Sequence, residues 1–204
     1  MKKFIINHWM NIIKKNKDFD KQKLAEIEYG LVGLYLTLSK SIMIFIMALI
    51  FGIFKEVFIF LIIYNLIRLT SFGIHVKKSW ICLLSSTIIF IGIPLIMLHL
   101  KLNFYVKMII GIINIIHIYI YSPADTKKRP IINKKRRLAY KLISTGIAIA
   151  FTVISLLIAN NYIANCMLFA LIVQNVLISP ITYKLCKEPY NNYITFLKKH
   201  PEFV

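Results

Sequence analysis

The chain has 204 residues, of which 58% are hydrophobic, and it carries a formal net charge of +18. Its mean hydropathy is +0.70, which excludes an ordinary soluble globular domain. Nucleic acid is not the expected partner of these charges, because the basic residues flank long apolar runs instead of forming one soluble basic face. The composition indicates a polytopic helical membrane protein.

The first 30 residues predict a basic amphipathic helix at the membrane surface. Ile5, Trp9, Ile12 and Ile13 follow the spacing of one helical face, and lysines occupy the opposite side. A helix of this kind lies in the membrane interface with its apolar side towards the acyl chains. We therefore expect an interfacial helix before the first membrane span.

Six apolar runs follow, each of a length that can cross a bilayer. They cover residues 31–54, 57–72, 81–98, 104–121, 142–159 and 162–178. Lys40 interrupts the first run, where it either snorkels to the surface or faces an internal polar cavity. Pro94 is expected to kink the third run. The predicted fold class is an all-α polytopic membrane protein with six transmembrane helices.

This pattern divides the chain into three regions. Residues 1–30 form the amphipathic segment, residues 31–180 the six-helix transmembrane domain, and residues 181–204 a C-terminal tail. Pro189 and Pro201 predict that the tail is irregular.

The distribution of Lys and Arg predicts the orientation in the membrane. One side carries 22 of them, in residues 1–30, 68–79, 122–141 and 182–204. The opposite side carries Lys55, Lys101 and Lys107. By the positive-inside rule, both termini and the turn between the second and third spans face the cytoplasm. Anionic lipids are expected to contact the basic loops.

The turn between the second and third spans holds the candidate chemistry. His75 and Cys82 are seven residues apart, which on one straight helix would separate them by about 10 Å. A base must lie within about 3 Å of the thiol, so the chain has to turn between them. Gly73 and the polar residues 77–79 allow that turn. The alternative is that both residues only pack, although ionisable groups at membrane depth often mark function.

The remaining cysteines and histidines give weaker signals. Three cysteines without framework spacing do not indicate disulfides. Cys166 is interpreted as a small core residue and Cys186 as a thiol near the interface. The histidines lack partners at ligand spacing, so no metal or other cofactor is expected. Gln174 and Asn175 are interpreted as residues that form hydrogen bonds between helices.

Two segments resemble the accessory gene regulator protein B (AgrB) family of bacterial membrane endopeptidases. The first is the arrangement Arg68, Gly73, His75 and Cys82 between two spans. The second is the sequence from Tyr121 to Pro130, followed by a run of four basic residues. The length, the spans and the interfacial N-terminus extend the resemblance over nearly the whole chain. Phe72 departs from it, because many members have a second glycine there, and the turn is expected to be stiffer here.

The resemblance implies a cysteine endopeptidase of the bacterial cell membrane. Cys82 would be the nucleophile and His75 its base, and no metal would take part. The substrate would be an AgrD-like propeptide whose acidic C-terminal tail is removed. The remaining peptide would stay on Cys82 as a thioester until an internal cysteine or serine of the peptide attacks and closes a thiolactone or lactone ring. The product would be an autoinducing peptide of quorum sensing.

Further residues are predicted to support this site. Arg68 either anchors substrate carboxylates, orients the loop, or is an ordinary positive flank. Gly73 supplies backbone freedom. Lys77 and Lys78 either stabilise the Cys82 thiolate or form a solvated flank. The basic loop after the fourth span is expected to capture the acidic tail of the propeptide, or else to serve only as a topology anchor with lipid contacts. Its four consecutive cations are Lys134, Lys135, Arg136 and Arg137.

Two other functions stay open at this point. A peptide transporter or exporter without proteolytic chemistry would also place polar groups inside the membrane. A non-catalytic membrane scaffold would tolerate every substitution between residues 68 and 82. The oligomeric state is open as well, and a homodimer is among the options.

Overall fold

A computed structural model of the chain describes residues 2–16, 19–74, 79–126 and 130–199. These residues form ten α-helices and one π-helical turn, which confirms the all-α prediction. The helices are α1 Lys2–Asn16, α2 Lys21–Ile50, α3 Phe54–Ser71, α4 Ser79–Thr87, α5 Ile93–His99, α6 Phe104–Tyr121, α7 Lys134–Leu157, α8 Asn161–Ile178, α9 Pro180–Leu185 and α10 Asn192–Lys199.

Five helical segments within the described ranges are long and apolar enough to cross a membrane. They are Gly30–Ile50, Cys82–His99, Phe104–Tyr121, Lys134–Leu157 and Asn161–Ile178. This confirms the polytopic membrane class. Helix α3 also has 18 residues, but it carries Lys55, Glu56 and Arg68. The count of six spans therefore stays a prediction.

The third predicted span is interrupted within its length. A π-helical turn, Ile88–Gly92, separates α4 from α5, and Pro94 lies in the first turn of α5. Proline has no N–H to donate, so the carbonyl one turn earlier loses its helical partner. The sequence predicted a kink at Pro94, and the structure places the irregular backbone immediately before it.

The chain divides into two compact units, residues 1–47 and residues 48–204. In the first unit, Ile6 and Met10 of α1 are buried, whereas Ile5, Trp9 and Ile12 are exposed. Three of the four residues of the predicted apolar face of α1 are therefore exposed, and Ile13 is partly exposed. Contact of this face with the membrane interface stays a prediction.

In the second unit, α8 forms the centre of the helical bundle. Ten of its residues are buried, and α3, α6 and α7 all pack against it. The outer faces of the other helices carry exposed isoleucines, such as Ile109, Ile113 and Ile116 of α6. Apolar side chains on the outside of a membrane bundle face lipid, so this exposure fits the assigned class.

In the second unit, successive connections between helices lie at opposite ends of the bundle, as expected for helices that cross a membrane in alternate directions. At one end the Gly73 N–H donates to the Ala124 carbonyl. At the other end the Tyr162 hydroxyl donates to the Glu56 carbonyl, and the Asn165 amide donates to the Leu100 carbonyl. Residues 71–74 and the segment around Ala124, which belong to two of the segments predicted to be cytoplasmic, therefore meet at one end of this unit.

The prediction of an irregular C-terminal tail is wrong for α9 and α10, whereas residues 186–191 around Pro189 are non-helical and Pro201 lies outside the described residues. Helices α9 and α10 account for much of residues 180–199, which we call the tail. Tyr183 of α9 is only 1% exposed and its ring stacks edge-on against Tyr190. Pro180 follows the end of α8 and begins α9, because the first helical position needs no N–H donor.

Candidate functional site

The backbone that leads into the predicted catalytic turn is held by an arginine. Helix α3 ends at Ser71, and Arg68 lies in its last turn. The Arg68 guanidinium donates hydrogen bonds to the carbonyls of Phe72, Gly73 and Ile74, the last at 3.0 Å. A guanidinium has five donors in a fixed planar fork and can therefore hold several carbonyls at once. These are the contacts of a residue that orients the loop, and a part in binding substrate carboxylates stays a prediction.

Two adjacent residues of this turn have left-handed backbone angles. Phe72 has φ +55° and Gly73 has φ +113°. A Cβ atom on Gly73 would lie 2.6 Å from an Arg68 guanidinium nitrogen and 2.9 Å from the Leu177 carbonyl oxygen. The turn thus needs glycine at position 73 for its angle and for its space. Phe72 adopts an angle that glycine prefers, and its ring packs edge-on against Tyr140 at 4.9 Å.

Residues 71–74 are also fixed by two other parts of the bundle. The Gly73 N–H donates to the Ala124 carbonyl, and the Ala124 N–H donates to the Ser71 carbonyl. On the other side, the Ile74 N–H donates to the Leu177 carbonyl at the end of α8. Ser71, Gly73 and Ile74 are buried, and buried backbone N–H and C=O groups require partners of this kind.

Gln174 adds a side-chain contact to the same turn. It is fully buried in α8, and its amide nitrogen donates to the Phe72 carbonyl at 2.7 Å. Its amide oxygen has no hydrogen-bond partner among the described residues. The sequence predicted a hydrogen bond between helices, whereas the observed bond holds the turn after α3.

Cys82 lies in the first turns of α4, which begins at Ser79. Its side chain is partly buried, and the Tyr64 phenol of α3 lies within electrostatic range of both Cys82 and Arg68. Tyr64 is 8% exposed and packs edge-on against Phe90. Sequence reasoning missed Tyr64, since an aromatic residue in an apolar run carries no distinguishing local signal.

Three predicted site residues lie outside the described residues. They are His75, Lys77 and Lys78, which belong to the four-residue gap between Ile74 and Ser79. The structure therefore places the backbone immediately before His75 and the helix that carries Cys82. The contact between the two side chains stays a prediction.

The other two cysteines have different surroundings. Cys166 is completely buried in the centre of α8, and Cys186 is exposed after α9. None of the three cysteines, all of them among the described residues, forms a disulfide. Cys82 combines partial access with a position next to the structured turn.

The four consecutive cations of the predicted basic loop form the first turn of α7. Asn133 caps this helix by accepting a hydrogen bond from the Arg136 N–H at 3.1 Å. Three of the four cations, Lys134, Lys135 and Arg136, are exposed. Arg137 is only partly exposed, and its guanidinium carbon lies 3.3 Å from the centre of the Tyr193 ring. The four cations therefore separate into an exposed group of three and one that packs against the tail.

Asp125 is a further residue that sequence reasoning left without a role. It is 4% exposed, and its carboxylate accepts hydrogen bonds from the backbone N–H groups of Asn192 and Tyr193 at 2.9 and 2.8 Å. Asp125 is a lone acidic residue between Pro123 and a basic run, and this was the available signal. A carboxylate at such a place, if buried, must accept hydrogen bonds from donors elsewhere in the protein. Its partners, however, lie 67 and 68 residues away in sequence.

Comparisons with known proteins give matches over most of the sequence. The model of the family described as accessory gene regulator B matches residues 6–178. A putative AgrB-like protein of Clostridium acetobutylicum is 27% identical over 186 residues, which are 90% of this chain and 89% of that protein.

Staphylococcal proteins are similar over comparable lengths. Accessory gene regulator protein B of Staphylococcus epidermidis is 28% identical over 189 residues, 92% of this chain and 94% of that protein. The protein of the same name from Staphylococcus aureus is 27% identical over 180 residues, 87% and 94% of the two chains. No solved structure matches. Because the family model spans most of the sequence, this chain belongs to the accessory gene regulator B family.

Proposed function

We propose that the chain is a membrane-embedded cysteine endopeptidase that removes the acidic C-terminal tail of a quorum-sensing propeptide. Cys82 is the nucleophile, and His75 is the general base that accepts the thiol proton. The site lies at the end of the bundle where residues 71–74 meet the segment that contains Ala124. By the positive-inside rule, this end faces the cytoplasm.

The observation that carries the proposal is the fixed backbone directly before His75. Arg68 and Gln174 hold the carbonyls of Phe72 and Ile74, and the Ile74 N–H is bonded to α8. A catalytic base needs its position defined to within a fraction of an ångström, and residues 71–74 give the chain a fixed start immediately before His75. Cys82 follows within the first turns of α4, where the helix dipole favours an anion such as a thiolate.

The proposed reaction runs through an acyl-enzyme. The Cys82 sulfur attacks the scissile carbonyl while its proton passes to His75. The C–N bond then breaks, and the proton from His75 goes to the departing amine of the acidic tail. The remaining peptide is held as a thioester on Cys82. Attack by an internal cysteine of the peptide forms a thiolactone and returns the thiol to Cys82, an exchange between thioesters of similar free energy.

Exposed cations support capture of the acidic tail. Lys134, Lys135 and Arg136 project from the first turn of α7, on the same end of the bundle as residues 71–74. Arg136 lies 6.0 Å from the Tyr140 ring, which in turn packs against Phe72. Three cations at a helix start oppose the helix dipole, so helix stability does not account for them. An anionic partner accounts for them, either the acidic tail of the propeptide, as proposed here, or anionic lipid.

The test is release of a C-terminal tag from a propeptide incubated with the protein in liposomes. Cys82→Ala should abolish release. Cys166→Ala and Cys186→Ala serve as matched controls, one buried and one exposed, and should keep most of the activity. A dead Cys166 or Cys186 variant together with an active Cys82 variant would refute the assignment of the nucleophile.

The role of His75 has its own test. His75→Ala should lose most activity at neutral pH, and the loss should shrink as the pH rises towards the ordinary pKa of a thiol, near 8.5. Solution ionisation then supplies the thiolate that the base no longer generates. A deficit of the same size at high pH would contradict the role of a base and point to positioning instead.

Separate treatment of Arg137 sharpens the test of substrate capture. Replacement of Lys134, Lys135 and Arg136 by Gln should raise KM with a smaller effect on kcat, and added salt should weaken the wild type more than the variant. The matched control replaces the exposed Lys184, Lys187 and Lys198 by Gln, which removes the same charge from the same end of the bundle. Neutral-lipid liposomes remove lipid attraction. Equal KM values for the two triple variants would show that the α7 cations do not bind substrate.

A further inference from the structure

A buried carboxylate joins the tail to the rest of the cytoplasmic end. The Asp125 carboxylate accepts hydrogen bonds from the N–H groups of Asn192 and Tyr193, which are the first two residues of α10. It also accepts a longer bond, of 3.4 Å, from the Ile131 N–H. The first N–H groups of a helix lack partners within the helix, and a carboxylate satisfies both their hydrogen bonds and the helix dipole.

The backbone of the same residue provides a second attachment. The Asp125 carbonyl accepts a hydrogen bond from the Tyr183 hydroxyl at 2.9 Å and one from the Asn192 side-chain amide at 3.4 Å. Tyr183 belongs to α9, so both helices of the tail are fastened to one residue. Arg137, packed on the Tyr193 ring, covers the junction from α7.

Asp125 is the immediate neighbour of the residue that pairs with the catalytic turn. Ala124 bonds to Ser71 and Gly73 through its own N–H and carbonyl groups, and it forms a parallel bridge with Phe72. The order of contacts is therefore tail, Asp125, Ala124 and residues 71–74, followed in sequence by His75. Ala124 is 2% exposed and Asp125 is 4% exposed, so little space is left for either residue to move independently.

We propose that Asp125 is a positioning residue which fastens the tail beneath residues 71–74 and thereby holds the backbone before His75 in its active geometry. The inference rests on the function proposed above. The tail is then part of the support of the catalytic centre and not a free cytoplasmic extension. Asp125 itself touches no reacting atom.

Kinetics of tag release in liposomes test this with the full-length protein. Asp125→Ala leaves two helix N–H groups without their acceptor, and kcat should fall by about 10- to 100-fold with KM changed by less than about twofold. Asp125→Asn keeps one acceptor oxygen in nearly the same shape and should recover part of the loss. Tyr183→Phe, which removes a single bond, should fall between Asp125→Asn and the wild type. The exposed Glu28→Gln is the matched control and should keep wild-type kinetics.

A second measurement does not depend on the propeptide. In a background of Cys166→Ala and Cys186→Ala, the rate of alkylation by iodoacetamide reports the reactivity of Cys82 alone. A displaced His75 should slow this reaction severalfold in Asp125→Ala at neutral pH. Correct insertion and folding of each variant are checked by the retained thermal transition in detergent.

The outcomes separate the two proposals. A lower kcat with unchanged KM, slower alkylation and recovery by Asp125→Asn supports the positioning role. A correctly inserted Asp125→Ala variant with wild-type kcat and a wild-type alkylation rate overturns it. A lower kcat together with a raised KM and an unchanged alkylation rate overturns it as well. If Asp125→Ala fails to insert, the order of Asp125→Asn and Tyr183→Phe decides. A wild type that cleaves no propeptide, but whose alkylation still depends on Asp125, refutes the proposed function and leaves the tail's support of the Cys82 site standing.

Discussion

Replacement of Gly73 by alanine tests the geometry of the turn directly. The residue has φ +113°, an angle that residues with a Cβ atom rarely adopt. The added methyl group would lie 2.6 Å from the Arg68 guanidinium, 2.9 Å from the Leu177 carbonyl oxygen and 3.2 Å from its carbon. The arginine end can move aside, whereas the Leu177 carbonyl belongs to the backbone of α8 and cannot.

Two contributions set the free-energy cost of the Gly73→Ala substitution. The unfavourable backbone angle costs about 1–3 kcal/mol. Displacement of the Arg68 guanidinium loses a hydrogen bond from a charged donor, worth about 1.5–3 kcal/mol. With partial relaxation we expect about 3 kcal/mol against the active geometry, which corresponds to a roughly 100-fold lower kcat/KM.

The assay is tag release in liposomes, with Gly146→Ala as the matched control. Gly146 lies in α7, and a Cβ atom added there would meet nothing within 4 Å, so the same chemical change should leave activity within about twofold. Near-normal activity of a correctly inserted Gly73→Ala variant would refute the reasoning. Equal loss in both variants would show that the effect comes from general destabilisation and not from the turn.

Two further predictions concern aromatic residues, one in the turn after α3 and one in the tail. Phe72→Gly relieves the backbone strain of φ +55° but loses the ring contact with Tyr140, worth about 0.5–1.5 kcal/mol. Phe72→Ala loses the same ring contact and keeps the strain. The Phe72→Gly variant should therefore be more stable and more active than Phe72→Ala. Thermal transitions and kcat/KM measure this, and the reverse order would contradict it. Burial raises the pKa of Tyr190 to about 12, so the folded tail favours the neutral phenol. The contribution of this group to folding stability is fully present below about pH 10 and is lost as the pH rises towards 12. The difference in tyrosinate absorbance between the wild type and Tyr190→Phe should therefore titrate near pH 12, and a midpoint near 10 would contradict burial of this group.

Local patterns in the sequence predict the membrane helices well where the ends carry their own signals. The predicted fourth span, residues 104–121, coincides with α6, because Asn103 caps its start and Pro123 follows its end. The predicted fifth span began at residue 142, whereas α7 begins at Lys134. The run of cations was interpreted as a loop, although Asn133 was available as a helix cap.

The support of the predicted catalytic turn could be predicted only in part. Gly73 and Arg68 stand out locally, one as the residue that permits a turn and the other as a charge near a span. The contacts from Gln174 and Asp125 join residues 58 to 102 positions apart, and no periodicity encodes such pairings. The helices of the tail escaped prediction for the same reason, since they are short and are stabilised by distant partners.

From the sequence, Arg68 could either orient the loop or anchor substrate carboxylates, and the structure bears on the first of these two roles. Non-helical backbone near the end of a membrane bundle exposes carbonyl groups that must find donors inside the protein. Arg68 and Gln174 meet that need at Phe72, and Arg68 alone meets it at Ile74. With three carbonyls held in this way, the guanidinium keeps two of its five N–H donors for other partners, and its part in binding substrate carboxylates stays a prediction. Under the proposed function, the exposed cations that begin α7 bind the acidic tail of the propeptide at the same end of the bundle, while Arg68 holds the turn.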